Sequence, residues 1–266
     1  MGWYTGNGIY DTVLIAAFVF AGFITFNGAF GRRDAASYGR FGRDKGVALN
    51  PKAGWILMEL PALLLFPVFF FAGSRWMEPV PMFIGALWMF HYLNRAIITP
   101  SLMRVHPNAK KSFGIEIMIG GWIALAFNAY LNGYFASELG THLHSVSWFS
   151  DPRFIIGLAI YALGFTINFW SDSILRNLRP KTPTADTPQY SVPTGGLFKY
   201  VSSPQYFGEI LSFTGLSILT WGLGFVYILI VTAGNLIPRA IETHKWYKNK
   251  FADYPADRKI IFPGVL

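Results

Sequence analysis

Seven apolar runs, each close to the thickness of a lipid bilayer, constrain this chain more than any other feature. They occupy roughly 9–30, 53–73, 79–99, 113–134, 153–175, 206–222 and 223–241. Each approaches the roughly 20 residues that a helix needs to cross about 30 Å of hydrocarbon. In lipid every backbone N–H and C=O must find its partner within the protein, which leaves helices as the economical solution for such runs. The expected fold class is therefore all-α, a polytopic membrane protein with seven transmembrane helices forming one domain over 1–266. Composition points the same way, because 53% of the residues are hydrophobic and only 14% are charged, where soluble domains carry about a quarter. The last two runs are nearly continuous, so Trp221-Gly222-Leu223-Gly224 is the predicted tight turn. No small-residue cleavage site follows the first run, which we therefore expect to be retained as a span.

Charge sets the expected orientation. With seven spans, the segments 31–52, 100–112, 176–205 and 242–266 share one side. Of the 22 Lys and Arg residues, all but Arg75 and Arg153 lie on that side or at the adjoining helix ends. The positive-inside rule makes it cytoplasmic, with the N-terminus outside and the C-terminus inside. The net charge of +8 then reflects topology and anionic headgroups, and no nucleic-acid partner is expected. The absence of cysteine excludes disulfides and thiolate chemistry. The five histidines are scattered, with His142 and His144 in an exposed-looking loop, and none forms an i, i+4 ligand pair in a helix. No metal site is expected.

Ionisable groups within the runs need partners or tasks, since lipid makes them costly. The second run places Glu59 beside Pro61, and the third carries His91-Tyr92 and then Arg95, which counts toward the basic side. A buried, neutral Glu59 next to the Tyr92 hydroxyl could grip a ketone oxygen and stabilise an enolate; the same pair could equally be an interhelical hydrogen bond. In the fifth run Asn168, Asp172, Arg176 and Arg179 recur at i, i+4, i+8 and i+11 on one helical face. Amide, carboxylate and guanidinium groups in that order suit a nucleotide, although the two arginines also fit plain topology. The 176–205 segment is too polar to span, and a loop this long in a compact bundle is usually functional. Gln205, Glu209 and Ser212 form a second polar stripe, and Arg239, Thr243 and Tyr247 a third, flanked by Glu242 and His244. No GxGxxG follows a strand, so any nucleotide must bind within the bundle.

Glu59-Leu60-Pro61, His91-Tyr92, the run Asn168 to Arg179, the stretch Pro193 to Glu209 and Arg239 to Pro255 together resemble the steroid 5α-reductases, most closely a bacterial member. The resemblance covers essentially the whole chain. It implies an integral membrane enzyme, in the inner membrane for a bacterial protein, whose cofactor site faces the cytoplasm. It also implies reduction of the Δ4 double bond of 3-oxo-steroids with NADPH. Glu59 and Tyr92 match the pair that holds the steroid carbonyl. Glu209 falls where the family closes the steroid pocket, and we expect Gln205 and Trp55 beside it. Asn168, Asp172, Arg179, Tyr200, Arg239 and Tyr247 fall at NADPH contacts, and Arg176 and His244 join them. The stretch 1–112 is expected to serve mainly the substrate carbonyl, and 153–266 mainly NADPH. The sequence departs from the mammalian pattern at Met58, at Gln205 and at Glu242-Thr243-His244. We expect a monomer whose other partners are membrane lipids.

Three other readings stay open at this point. One is a reductase of another lipid enone or enoyl substrate. Another is an integral-membrane, S-adenosylmethionine-dependent methyltransferase of the isoprenylcysteine carboxyl type, which would need no oxyanion pair. The last is a transporter or lipid-binding protein, against which stands the lack of internal repeats.

Overall fold

A computed structural model describes residues 4–31, 41, 47–107 and 113–265. The basic residues between 32 and 46, and at 110–111, lie outside them. The helices are α1 (Gly8–Phe26), α2 (Pro51–Phe71), α3 (Pro79–Leu93), the single turn α4 (Thr99–Ser101), α5 (Ile115–Tyr134), α6 (Pro152–Asn177), α7 (Pro204–Thr220) and α8 (Leu223–Lys250). Each predicted run holds one of the seven long helices. Among the described residues, strand structure amounts to the antiparallel pair β1 (Ala48–Leu49) and β2 (Phe113–Gly114) and one isolated bridge.

Among the described residues, five helical stretches are long and apolar enough to cross a membrane: Gly8–Ala29, Pro51–Phe71, Ile115–Leu139, Pro152–Asn177 and Leu223–Lys250. The other two long helices, α3 and α7, are shorter, at 15 and 17 residues. α3 gains length because a π-helical turn, Asn94–Ile98, leads without a break into α4.

Local chemistry explains how the apolar helices satisfy their polar atoms. Pro61 lacks the N–H that would bond the Leu57 carbonyl four residues back, and the Trp122 indole donates to that carbonyl at 2.7 Å instead. Ser212, Thr214, Ser217 and Thr220 each donate to a carbonyl one turn back in α7. α6 and α7 run antiparallel in backbone contact. A Cβ at Gly157, Gly164, Gly208 or Gly215 would collide with backbone atoms of the facing helix. Where both phases are apolar, such close approach replaces the hydrophobic effect as the source of association.

One expectation about a connection needs correction. His142 and His144 are not in an exposed loop: 3₁₀ turns (Thr141–His144 and Val146–Ser150) fold the connection against the bundle. His142 packs on Trp148 at 4.5 Å and is hydrogen-bonded to the Thr220 carbonyl at 3.0 Å. Burial lowers its pKa below the ordinary histidine value. Arg153 stacks on Trp148 and Trp221 and holds the Asp151 carboxyl down to about 2. The last helix also outlasts its apolar run, reaching Lys250 because Thr243, His244 and Tyr247 are buried beneath the following segment.

Candidate active site

The polar groups of α2, α3 and α7 converge on Arg95. Its Nε donates to Glu59 Oε1 at 2.9 Å, and its Nη1 lies 2.8 Å from Glu209 Oε1. Both carboxyl groups are nearly sealed, while the Arg95 side chain keeps 25% of its exposure. The π turn starts at Asn94, so the helix widens at the point where Arg95 leaves it. Turns of this kind are frequent at functional sites. Arg95 also stacks over Trp55 at 5.4 Å. A buried carboxylate tolerates apolar surroundings only when paired, so this guanidinium explains how α2 and α7 both carry a glutamate. His91, on α3, sits 3.7 Å from Glu209 Oε1, beyond hydrogen-bond reach.

Glu59 and Tyr92 do not bond each other among the described residues. Glu59 pairs with Arg95, whereas the Tyr92 hydroxyl accepts from Asn128 Nδ2 at 2.6 Å. They meet instead on the wall of one cavity of about 600 Å³. Glu59, Tyr92 and Arg95 line it together with apolar residues of α1, α5 and α8 and with the charged Glu116, Arg239, Glu242 and Lys245. Glu59 Oε2 is buried and has no hydrogen-bond partner among the described residues. An orphaned buried oxygen is uncommon, and this one belongs to a cavity-lining side chain.

The residues assigned to a nucleotide do not share one cavity. Arg239 reaches the cavity, where its Nε donates to the Tyr206 hydroxyl at 2.9 Å and its guanidinium lies over the Phe41 ring. Asn168, Asp172 and Arg176 lie along α6, and Gln205, expected beside the steroid pocket, lies at the start of α7; among the described residues none of the four lines the cavity. Asn168 donates to the Gln205 main-chain carbonyl at 3.0 Å, and Arg176 to Ser173 at 3.1 Å. The buried Gln205 Oε1 and Ser203 Oγ have no partner among the described residues. Arg179 is not on the helical face expected of it, because α6 ends at Asn177. It lies in the loop and donates to the carbonyls of Gln189 and Arg104. Arg179 and Tyr247 border a smaller cavity of about 200 Å³.

His244 is tied into a buried knot. Its Nδ1 is 2.6 Å from Ser202 Oγ, which lies 2.7 Å from the Tyr254 hydroxyl. Tyr247 stacks on Tyr254 at 5.2 Å. Exposed Tyr200 joins this region through its backbone, since its carbonyl accepts from Lys259. Trp55 likewise stands outside the cavity wall among the described residues and touches the site through Arg95.

Three residues near this site carry more than their sequence context conveys. Arg95 fits the basic side by count alone, although an arginine three residues after Tyr92 within an apolar run signals a buried partner. Asn128, which donates to Tyr92, is followed one turn later by Asn132, which donates to Asn128, and the i, i+4 spacing of the two amides is the signal that sequence offers.

Comparison with known proteins places this arrangement. A family model described as 3-oxo-5-alpha-steroid 4-dehydrogenase matches residues 111–266. The steroid 5-alpha-reductase DET2 of Solanum lycopersicum is 37% identical over 83% of both chains. The 3-oxo-5-alpha-steroid 4-dehydrogenase 1 of Rattus norvegicus is 32% identical over 92% of each. That of Homo sapiens is 33% identical over 98% of this chain and 99% of its own. With a carboxyl–arginine–tyrosine site converging on one cavity, and relatives alike over most of their length, this chain belongs to the 3-oxo-5-alpha-steroid 4-dehydrogenase family of enzymes.

Proposed function

We propose that the protein is a membrane-embedded, NADPH-dependent reductase of the Δ4 double bond of 3-oxo-steroids. One observation carries the reading: Glu59 and Tyr92 both line one cavity, and each keeps hydrogen-bonding capacity to spare. Glu59 Oε2 has no partner among the described residues. Tyr92 accepts from Asn128 and so keeps its own proton to donate. Arg95 serves both Glu59 and Glu209, so one guanidinium balances one carboxylate, and we place the remaining proton on Glu59. Two donors then face the C3 ketone oxygen of a bound enone. Negative charge gathers on that oxygen as C5 is reduced, and preorganised donors in a water-excluded site act most strongly there.

The fit to NADPH rests on the unpartnered Gln205 Oε1 and Ser203 Oγ beside Asn168. These suit a carboxamide, while Arg239 and Arg179 suit phosphates. Bound NADPH would supply the hydride. Asp172, Arg176, Tyr200 and Tyr247 complete that side, and His244 supports it through Ser202. Trp55 and Glu209 hold Arg95 toward the substrate. In this division 1–112 serves mainly the carbonyl and 153–266 mainly the cofactor.

We also propose that α3, lengthened through its π turn, and α7 cross the membrane with the five longer helices. That gives seven spans, with the N-terminus outside and the cofactor side cytoplasmic. A steroid then enters through lipid and is reduced by a monomeric enzyme. The test is isotopic. With NADPH deuterated at the transferred position, label should appear at C5 of a Δ4-3-ketosteroid, and the new C4 hydrogen should come from solvent. Label at C3, giving an alcohol, would overturn the assignment of Glu59 and Tyr92.

A further inference from the structure

Tyr92 can help a ketone oxygen only if its hydroxyl proton is free to point into the cavity. A phenol both donates and accepts, so its other partner decides where the proton goes. That partner is Asn128, whose amide could in principle present either nitrogen or oxygen to Tyr92.

The next residue along removes the ambiguity. Asn132 Nδ2 lies 3.0 Å from the main-chain oxygen of Asn128 and 2.8 Å from Asn128 Oδ1. A backbone carbonyl can only accept, so Asn132 must turn its NH₂ toward it. The same NH₂ then faces the Asn128 side chain and requires an oxygen there. Asn128 therefore has its nitrogen left for Tyr92, at 2.6 Å. Donation runs one way, from Asn132 to Asn128 to Tyr92, anchored on a backbone atom that cannot reverse. All three side chains are sealed, with exposures of 2%, 0% and 1%, so no water competes. The lack of a side chain at Gly224 on α8 leaves the Asn132 amide its space, since a Cβ there would collide with it.

We infer that Asn128 and Asn132 are positioning residues that hold the Tyr92 hydroxyl as an acceptor toward α5, so that its proton is presented to the substrate carbonyl. The inference rests on the role proposed above for Tyr92. Neither asparagine lines the cavity among the described residues, so both act through the tyrosine.

The experiment is a mutant cycle on the full-length protein, with NADPH and a Δ4-3-ketosteroid. Asn128→Asp keeps the shape of the side chain but offers an acceptor, which turns the Tyr92 proton away from the cavity. Its kcat should fall about tenfold or more, with a smaller change in steroid KM and with melting temperature recorded alongside. In a Tyr92→Phe background the same substitution should add less than about a twofold loss, because the proton it controls is gone. Asn132→Leu keeps the test open should Asn128→Asp not fold; it should give a smaller loss that also vanishes with Tyr92→Phe. Losses that multiply across the cycle, or an unchanged kcat in Asn128→Asp beside an impaired Tyr92→Phe, would overturn this inference alone. Full activity of Tyr92→Phe would remove the role of Tyr92 and this inference with it.

Discussion

Two sides of this bundle pack differently. Along α6 and α7, glycines at seven-residue spacing bring backbone onto backbone, leaving no room for a methyl group. Between α1, α5 and α8 the helices also meet closely in places, as where Gly28 faces Gly234 and Gly224 faces Asn132, but they border about 600 Å³ of space, and Gly120 on that wall has no atom within 4 Å of where its Cβ would be. Small residues thus serve two ends, closing contacts at some positions and leaving open space at Gly120. The closed seam carries Glu209, Gln205 and Asn168, which need fixed positions. The open side carries apolar flanks and a guest-sized space.

The sharpest way to break this contrast is to make one substitution on both sides. Gly164→Leu or Gly208→Leu should abolish recovery of folded protein from detergent. Gly164→Ala should destabilise by roughly 1–3 kcal/mol, the usual effect of overpacking. Gly120→Ala should be neutral or stabilise by up to about 1 kcal/mol through helix propensity. Equal unfolding midpoints for the two alanine variants would mean that the seam is not tight.

Chemistry on the open side gives the next largest effect. Glu59→Ala should lower steroid turnover by at least about 10²-fold, as for loss of one oxyanion donor. Glu59→Gln keeps a donor and should lose less. Turnover of the alanine variant near the parent value, at equal protein level, would remove Glu59 from the mechanism.

The two candidate phosphate arginines sharpen the comparison further, because Arg239 lies on the cavity wall and Arg179 in a loop. Both alanine variants should raise the KM for NADPH and leave steroid KM much less affected. Arg239→Ala should be the stronger, by roughly tenfold or more for a lost charged hydrogen bond. Arg179 already spends its fork on two backbone carbonyls. Native protein that used NADH as well as NADPH would contradict both assignments.

The smallest effect belongs to the cap between α5 and α6. Burial lowers the pKa of His142 from an ordinary value near 6.5. A histidine kept neutral in the fold stabilises fully above that value and loses its contribution as pH falls through it, because the unfolded chain binds the proton more readily. Melting temperature should therefore decline modestly between about pH 7.5 and about pH 5.5, and His142→Asn should flatten part of the decline. An identical slope in that variant would assign the effect elsewhere.

Much of this fold was legible because lipid imposes one simple rule on local sequence. Every run of apolar residues became a helix, and the Trp221-Gly222 turn fell where the two last runs met. The failures share a cause, since each concerned what a side chain meets across the bundle. Apolar periodicity identifies Arg95 as an unusual residue but cannot reveal that it joins α2 to α7. It also assigned Arg179 to a helical face, whereas Pro180 and the following polar segment end the helix at Asn177. Asn128 and Asn132 carry no named motif, and their meaning lies in a tyrosine 36 residues before Asn128. Glu59 and Tyr92 were recognised together, yet they share a cavity wall and not a hydrogen bond.

The segment after α8 has a consequence for the stretch before α7. Lys259 and Ile260 accept the backbone N–H groups of Ser202 and Ser203, and Lys259 donates back to Tyr200. These bonds fasten the stretch that leads into α7, including the residues next to Gln205. A chain cut before Lys259 would therefore keep every residue of α7 and α8 and yet lose the backbone partners of Ser202 and Ser203, so the tail acts as a clasp on the approach to α7.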